Sequence, residues 1–305
     1  MSLNFRHVLR HLPVKAPLVR DFLTKRGFDP GPDFNWDDTE STVARHLADL
    51  ISNLTDDDTR QAVIADLEKV AQLGDPNGDR QMRTVTGGDT KIVTALEQLT
   101  TSEERALWLF ENHPTKFDDA LEARFFDEQA SSAWAQTHDL KIKQTLDRSP
   151  EAQAALKAAI SAFYKQREGC GYNVLVELID RPLEGPTQVT VYVADLPNHR
   201  TEFEHGELTR RRSTPVKDLA LNFNPATGIA RTVVRGGKDY HMMLAAAVSE
   251  HLLHHKVRPE RIQPQRYRLS VLRGGISVQN PATLGLDCVR LRGLTVWDPD
   301  TNLYA

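Results

Sequence analysis

The sequence predicts an α+β protein: a helical N-terminal bundle, then a mostly antiparallel β domain carrying one packed helix. Three observations carry this prediction. Apolar residues recur at three-four spacing through the first 168 residues. At GCGYNVLVEL the texture turns to period-two alternation, as in a half-buried strand. Beyond it, short alternating runs are separated by Gly and Asn-Pro turns at hairpin spacing. The expected domains are residues 1–168, helical, and 172–305, an antiparallel β domain with a helix at 239–256. A chain of 305 residues exceeds the roughly 100–200 of an ordinary single domain, which agrees with two.

In chain order, Pro13 and Pro17 divide the basic start into a pair of short helices packed on the body. DDTESTVARHLADLISNL places Val43, Leu47, Leu50, Ile51 and Leu54 on one face, with Thr39 or Ser41 as cap. TDDDTRQAVIADLEKVAQLG follows, with Thr55 as its cap. Asp56, Asp57 and Asp58 sit near its N-terminus, where negative charge complements the helix dipole. DPNGD reads as a turn: a calcium loop beginning at Asp75 would need Gly where Arg80 stands and Glu where Thr86 stands. TSEERALWLFENH, TKFDDALEARFFDEQASSAWAQTHDL and SPEAQAALKAAISAFYKQ complete the bundle, the second as one long helix whose aromatic residues form core.

The strands are expected in YNVLVELID, TQVTVYVAD, RTEFEHGEL, DLALNFN, IARTVVR, RYRLSVLR and LGLDCVRLRGLTVWD. Only DYHMMLAAAVSEHLLHH interrupts them, and it is apolar on almost every side, as a helix lying across a sheet would be. TVVRGGKDYHMML, which leads into it, departs from a Walker loop: Thr232 stands where the first Gly belongs and Asp239 where Ser or Thr belongs. Its Arg-Gly-Gly therefore reads as a turn, with Asp239 suited to cap the helix.

Candidate chemistry is sparse. Cys170 follows a helix C-terminus, whose partial negative charge raises a thiol pKa, and Cys288 lies on the apolar face of a strand; neither suits a nucleophile. His251 and His255 stand four apart on the expected helix, where two imidazoles can reach one metal. Zincin helices carry Glu directly after the first His, whereas here Glu250 precedes it.

Charge is the stronger signal. Residues 200–275 hold 14 basic side chains against 7 acidic, although the whole chain carries a net charge of −4. The candidate anion or nucleic-acid contacts are Arg210, Arg211, Arg212, Arg235, Lys238, Lys256, Arg258, Arg266, Arg268 and Arg273, with Arg261, Tyr240 and Tyr267 interleaved. Acids of EFEHGE facing the arginines across a hairpin would give that charge a structural use instead.

These observations favour a non-catalytic binding or adaptor protein, a subunit of a larger assembly, whose basic C-terminal domain contacts an anionic partner. A DNA- or RNA-binding protein using the basic sheet is the first alternative, and a metal-dependent hydrolase using His251 and His255 the second. No cofactor is expected. The composition, 40% hydrophobic and 26% charged with no long apolar run, suits a cytoplasmic protein without membrane contact.

Overall fold

A computed structural model describes residues 5–131, 135–204, 206–262, 297–298 and 303–304. Arg266, Tyr267, Arg268, Arg273 and Cys288, with the strands expected at 266–273 and through most of 284–298, lie outside the described residues. The fold is α+β, with helices first and a mostly antiparallel sheet after them. Residues 1–262 form one compact unit and 263–305 another. In the second unit, β9 (Trp297–Asp298) pairs antiparallel with β10 (Leu303–Tyr304).

Among the described residues, the first unit opens with eight helices: α1 (Phe5–His11), α2 (Pro17–Lys25), α3 (Glu40–Ser52), α4 (Asp57–Ala71), α5 (Pro76–Thr86), α6 (Thr90–Glu97), α7 (Ser102–Asn112) and α8 (Pro114–Ala130). Their apolar faces meet in one core that includes Leu9, Phe22, Leu47, Ile51, Leu67, Met82, Leu107 and Phe117. Thr39 caps α3 through its side chain. The cap of α4 is Asp56 rather than Thr55: its carboxylate accepts from the backbone N–H groups of Asp58 and Thr59, a stronger charge-assisted arrangement.

The expected turn at DPNGD is instead the start of α5. Asp75 accepts from the Gly78 N–H as N-cap and Pro76 occupies the first turn. Gly78 is needed by packing, since a Cβ there would come within 2.3 Å of the Leu73 carbonyl oxygen.

The long helix expected over 115–140 ends at Ala130, and Gln136–Asp139 forms a strand, β1. After α9 (Pro150–Glu168) come β2 (Val174–Asp180), β3 (Thr187–Ala194), β4 (Asn198–Glu204), β5 (Glu207–Ser213), β6 (Val216–Asn224), β7 (Ile229–Val233), α10 (Lys238–Leu252) and β8 (Glu260–Ile262). The main sheet has the order β2-β3-β6-β7-β1-β8, and every pairing in it is antiparallel. β4 and β5 stand apart as a two-stranded ribbon.

Register explains the layers. Val189, Val191 and Val193 of β3 lie opposite Leu221, Leu219 and Lys217 of β6, and the valines join Leu219, Leu221 and Phe223 on the face covered by α9 and α10. Phe126 and Ala130 of α8 meet Val233 in a separate small core. Gln188 donates to the Glu122 carbonyl, which adds a polar tie between α8 and β3.

Arg181, at the end of β2, is 1% exposed and is the main polar clamp between sheet and bundle. Its guanidinium donates twice to Asp127 at 2.8 Å and once to Gln81, and it pairs with Glu184.

Arg-Gly-Gly before α10 is a turn, as expected. Gly236 has φ +122° and faces the Tyr240 ring, where a Cβ would lie 2.6 Å away. The helix cap differs from the expectation: Gly237 is the N-cap, and Asp239 sits inside the first turn, paired with Arg167 at 3.0 Å. The helix also stops at Leu252 rather than at residue 256, and His254 takes a left-handed backbone with φ +56°.

Candidate nucleic-acid interface

The expected hairpin around Gly206 exists, and its register sets what it presents. Seven residue pairs join β4 to β5, so the ribbon is roughly 20 Å long at about 3.4 Å per residue. It extends from the ends of β3 and β6, just beyond the pairing of Ala194 with Val216. The described side chains of β4 are all exposed, and β5 is exposed apart from half-covered Thr209 and Ser213. It is an arm, with neither face covered by an element of the main sheet.

Opposite residues of an antiparallel pair share a face, and alternate residues share a face along one strand. His199 lies opposite Arg212, Thr201 opposite Arg210, and Phe203 opposite Leu208. One face therefore reads, from root to tip, His-Arg, Thr-Arg and Phe-Leu, with no carboxylate in these three rungs. The reverse face carries Arg200 opposite Arg211, then Glu202 opposite Thr209, and Glu207 towards the tip.

This register does not set acids directly against arginines, so the structural use of charge expected for EFEHGE is not met rung by rung. Arg200 and Arg211 instead lie opposite each other, and Arg211 is engaged within the chain. Arg200, Arg210 and Arg212 have no hydrogen-bond or ion-pair partner among the described residues. Phe203 is 78% exposed and Leu208 61%, so the apolar end of the clean face lies in water. Composition marked Arg210, Arg211 and Arg212 but not His199, Arg200, Phe203 or Leu208. Counting outwards from Gly206 along both strands would have found them.

The other basic candidates are dispersed. Arg235 lines a cleft of ≈ 400 Å³ at the root of the arm, with Phe125, Tyr164, Glu168, Asp195 and Lys217. Lys238 is exposed at the start of α10, Lys256 pairs with Glu250 at 3.4 Å, and Arg258 is exposed in the segment before β8.

Glu168, Asp195 and Asp218 outnumber Lys217 and Arg235 in the wall of this cleft. Burial acts to raise the Glu168 carboxyl, but hydrogen bonds from Lys217 and Tyr240 prevail and hold it below its ordinary value. Glu168 thus ties α9 to β6 and α10: Lys217 donates to one oxygen, and Tyr240 to the other at 2.5 Å. Cys170, beside this tie, is 1% exposed, and burial pushes its thiol up, away from a nucleophilic thiolate.

His251 is on α10, but His255 lies beyond the end of that helix, so the two do not stand on successive turns. Among the described residues, no group of three or more His, Cys, Asp or Glu is gathered as metal ligands. Two other histidines are buried: His138 on β1, 0% exposed, and His241 on α10, whose Nδ1 is 2.7 Å from the Thr232 hydroxyl. Burial first, and then the Arg261 cation, lowers His138 to about 4; burial, His138 and Arg261 lower His241 to about 4. Both are neutral at pH 7. Neither could be singled out in the sequence, where each is one histidine among eleven.

No helix among the described residues is long and apolar enough to cross a membrane. No family model matches the chain, and neither does any curated protein.

Proposed function

We propose that this is a non-catalytic binding protein, working within a larger assembly, that contacts an anionic partner through the β4–β5 arm. One observation carries the reading: a solvent-exposed arm face on which His199, Arg210 and Arg212 have no carboxylate beside them, next to exposed Phe203 and Leu208. Bare guanidinium groups on a projecting ribbon gain little for the fold, whereas they match phosphate or carboxylate oxygens of a partner.

The test is a fluorescence-anisotropy titration of the full chain against labelled heparin, polyphosphate and mixed-sequence nucleic acid at two salt concentrations. Binding that weakens with salt, and weakens again in the Arg210→Gln, Arg212→Gln double variant, is expected. If no polyanion binds at low salt, the reading fails.

A further inference from the structure

Resting on that reading of the arm, we infer that its anionic partner is a single-stranded nucleic acid, lying along the His199–Arg212, Thr201–Arg210 and Phe203–Leu208 face. Its phosphates meet the two guanidiniums and one base stacks on Phe203.

Three features of the arm select this occupant. The first is that one face carries cations and an exposed ring without a carboxylate in its three rungs, whereas the reverse mixes Arg200 and Arg211 with Glu202 and Glu207. A two-stranded ribbon lying in the groove of a duplex has a phosphate backbone on either flank. Glu202 and Glu207, on the reverse of the arm, would then approach phosphates. A single strand touches one face and leaves both carboxylates in water.

The second feature is the order of the rungs. Arg210 and Arg212 are two residues apart on one strand, about 7 Å along the ribbon, and the next rung outwards is Phe203 with Leu208. Cation, cation and exposed ring follow one another at strand spacing. A nucleic-acid strand likewise repeats a charge and a flat π-face at every residue. Base-on-aromatic stacking beside a basic track is the usual means by which proteins hold single strands without reading sequence. An acidic peptide would satisfy Arg210 and Arg212 equally well but offers no π-face for the ring.

The third feature separates a strand from a lipid surface. Among the described residues, immersing the tip would place only the apolar side chains of Phe203 and Leu208 among acyl chains, and it would carry Glu202 and Glu207 towards anionic headgroups. A strand along one face requires neither.

The experiment compares, on the full chain at one salt concentration, a labelled thymidine oligonucleotide of roughly 12 residues with an abasic oligomer of the same length and charge. A matched duplex and phosphatidylserine vesicles are the other probes. The base-bearing strand should bind roughly 5- to 100-fold more tightly than the abasic one. Phe203→Ala should erase that difference while leaving the salt dependence unchanged, and Phe203→Trp should restore it. Circular dichroism of each variant confirms that the body is intact.

Equal binding of the base-bearing and abasic strands, or a Phe203→Ala variant indistinguishable from wild type, overturns the single-strand inference but leaves the anionic-partner reading in place. Preference for the duplex or for vesicles does the same. Absence of binding to every polyanion overturns both.

Discussion

The arginines of the body and three of those on the arm, Arg200, Arg210 and Arg212, are the same side chain in opposite surroundings. Arg26 pairs with Asp66 and Glu111 and lies over the Phe22 ring at 3.7 Å. Arg105 reaches Asp79 and the carbonyls of Leu96 and Leu99, and Arg181 is enclosed by Asp127, Gln81 and Glu184. In each case terminal guanidinium or Nε donors are used inside the molecule, closing helix ends or tying layers together, although the buried Arg181 Nε has no hydrogen-bond partner among the described residues. Arg200, Arg210 and Arg212 stand on an exposed ribbon without such partners among the described residues. The lesson is that basic residues show function through what surrounds them rather than through their number. The front half holds more Lys and Arg than the back, yet many of them are engaged by its own carboxylates.

The contrast can be tested, beginning with the largest effect. Phe117→Ala in the bundle core should cost about 4 kcal/mol in a urea unfolding titration, whereas Phe203→Ala on the arm should stay within about 0.5 kcal/mol. Comparable losses at the two sites would mean that the arm's tip is packed rather than presented. Arg181→Met comes next: Asp127 and Gln81 lose their donor, and a stability loss of about 3 kcal/mol is expected. An unchanged urea midpoint would remove Arg181 from its role as clamp between sheet and bundle.

The buried histidines sharpen the contrast by pH. Their folded pKa values lie below the ordinary 6.5, at about 4, so the unfolded chain binds more protons between those limits. Stability should be unaffected by them above pH 6.5 and should fall as pH drops towards 4. The loss is up to about 1.4 kcal/mol per pH unit for each histidine. His138→Gln should flatten that slope, and a wild-type slope surviving in the variant would contradict the assignment. The smallest effect belongs to the arm: Arg210→Gln with Arg212→Gln should shift stability by no more than about 0.5 kcal/mol in either direction.

Legibility in the sequence followed the same division. Strong periodicity gave away α3, α4, α7 and α9, and alternation gave away β2, β3, β6 and β7, because each buries one stripe or face. β1 was not legible: QTHD has no apolar alternation, and it earns its place by pairing on both sides with β7 and β8, strands distant in sequence. α5 hid behind Asn-Gly, which signals a turn when read locally but here serves the close approach of Gly78 to Leu73. Composition found the arm's arginines, but face and register decide their meaning. Neither is visible until the two strands are set opposite each other.

The central claim, that the arm's arginines serve a partner, is tested most directly by the salt dependence of polyanion binding. The logarithm of affinity should fall linearly with the logarithm of salt concentration. Removing one arginine that meets a phosphate should lower the slope by about one, so the Arg210→Gln, Arg212→Gln variant should show a slope smaller by about two than wild type. Superimposable slopes for variant and wild type would contradict the account.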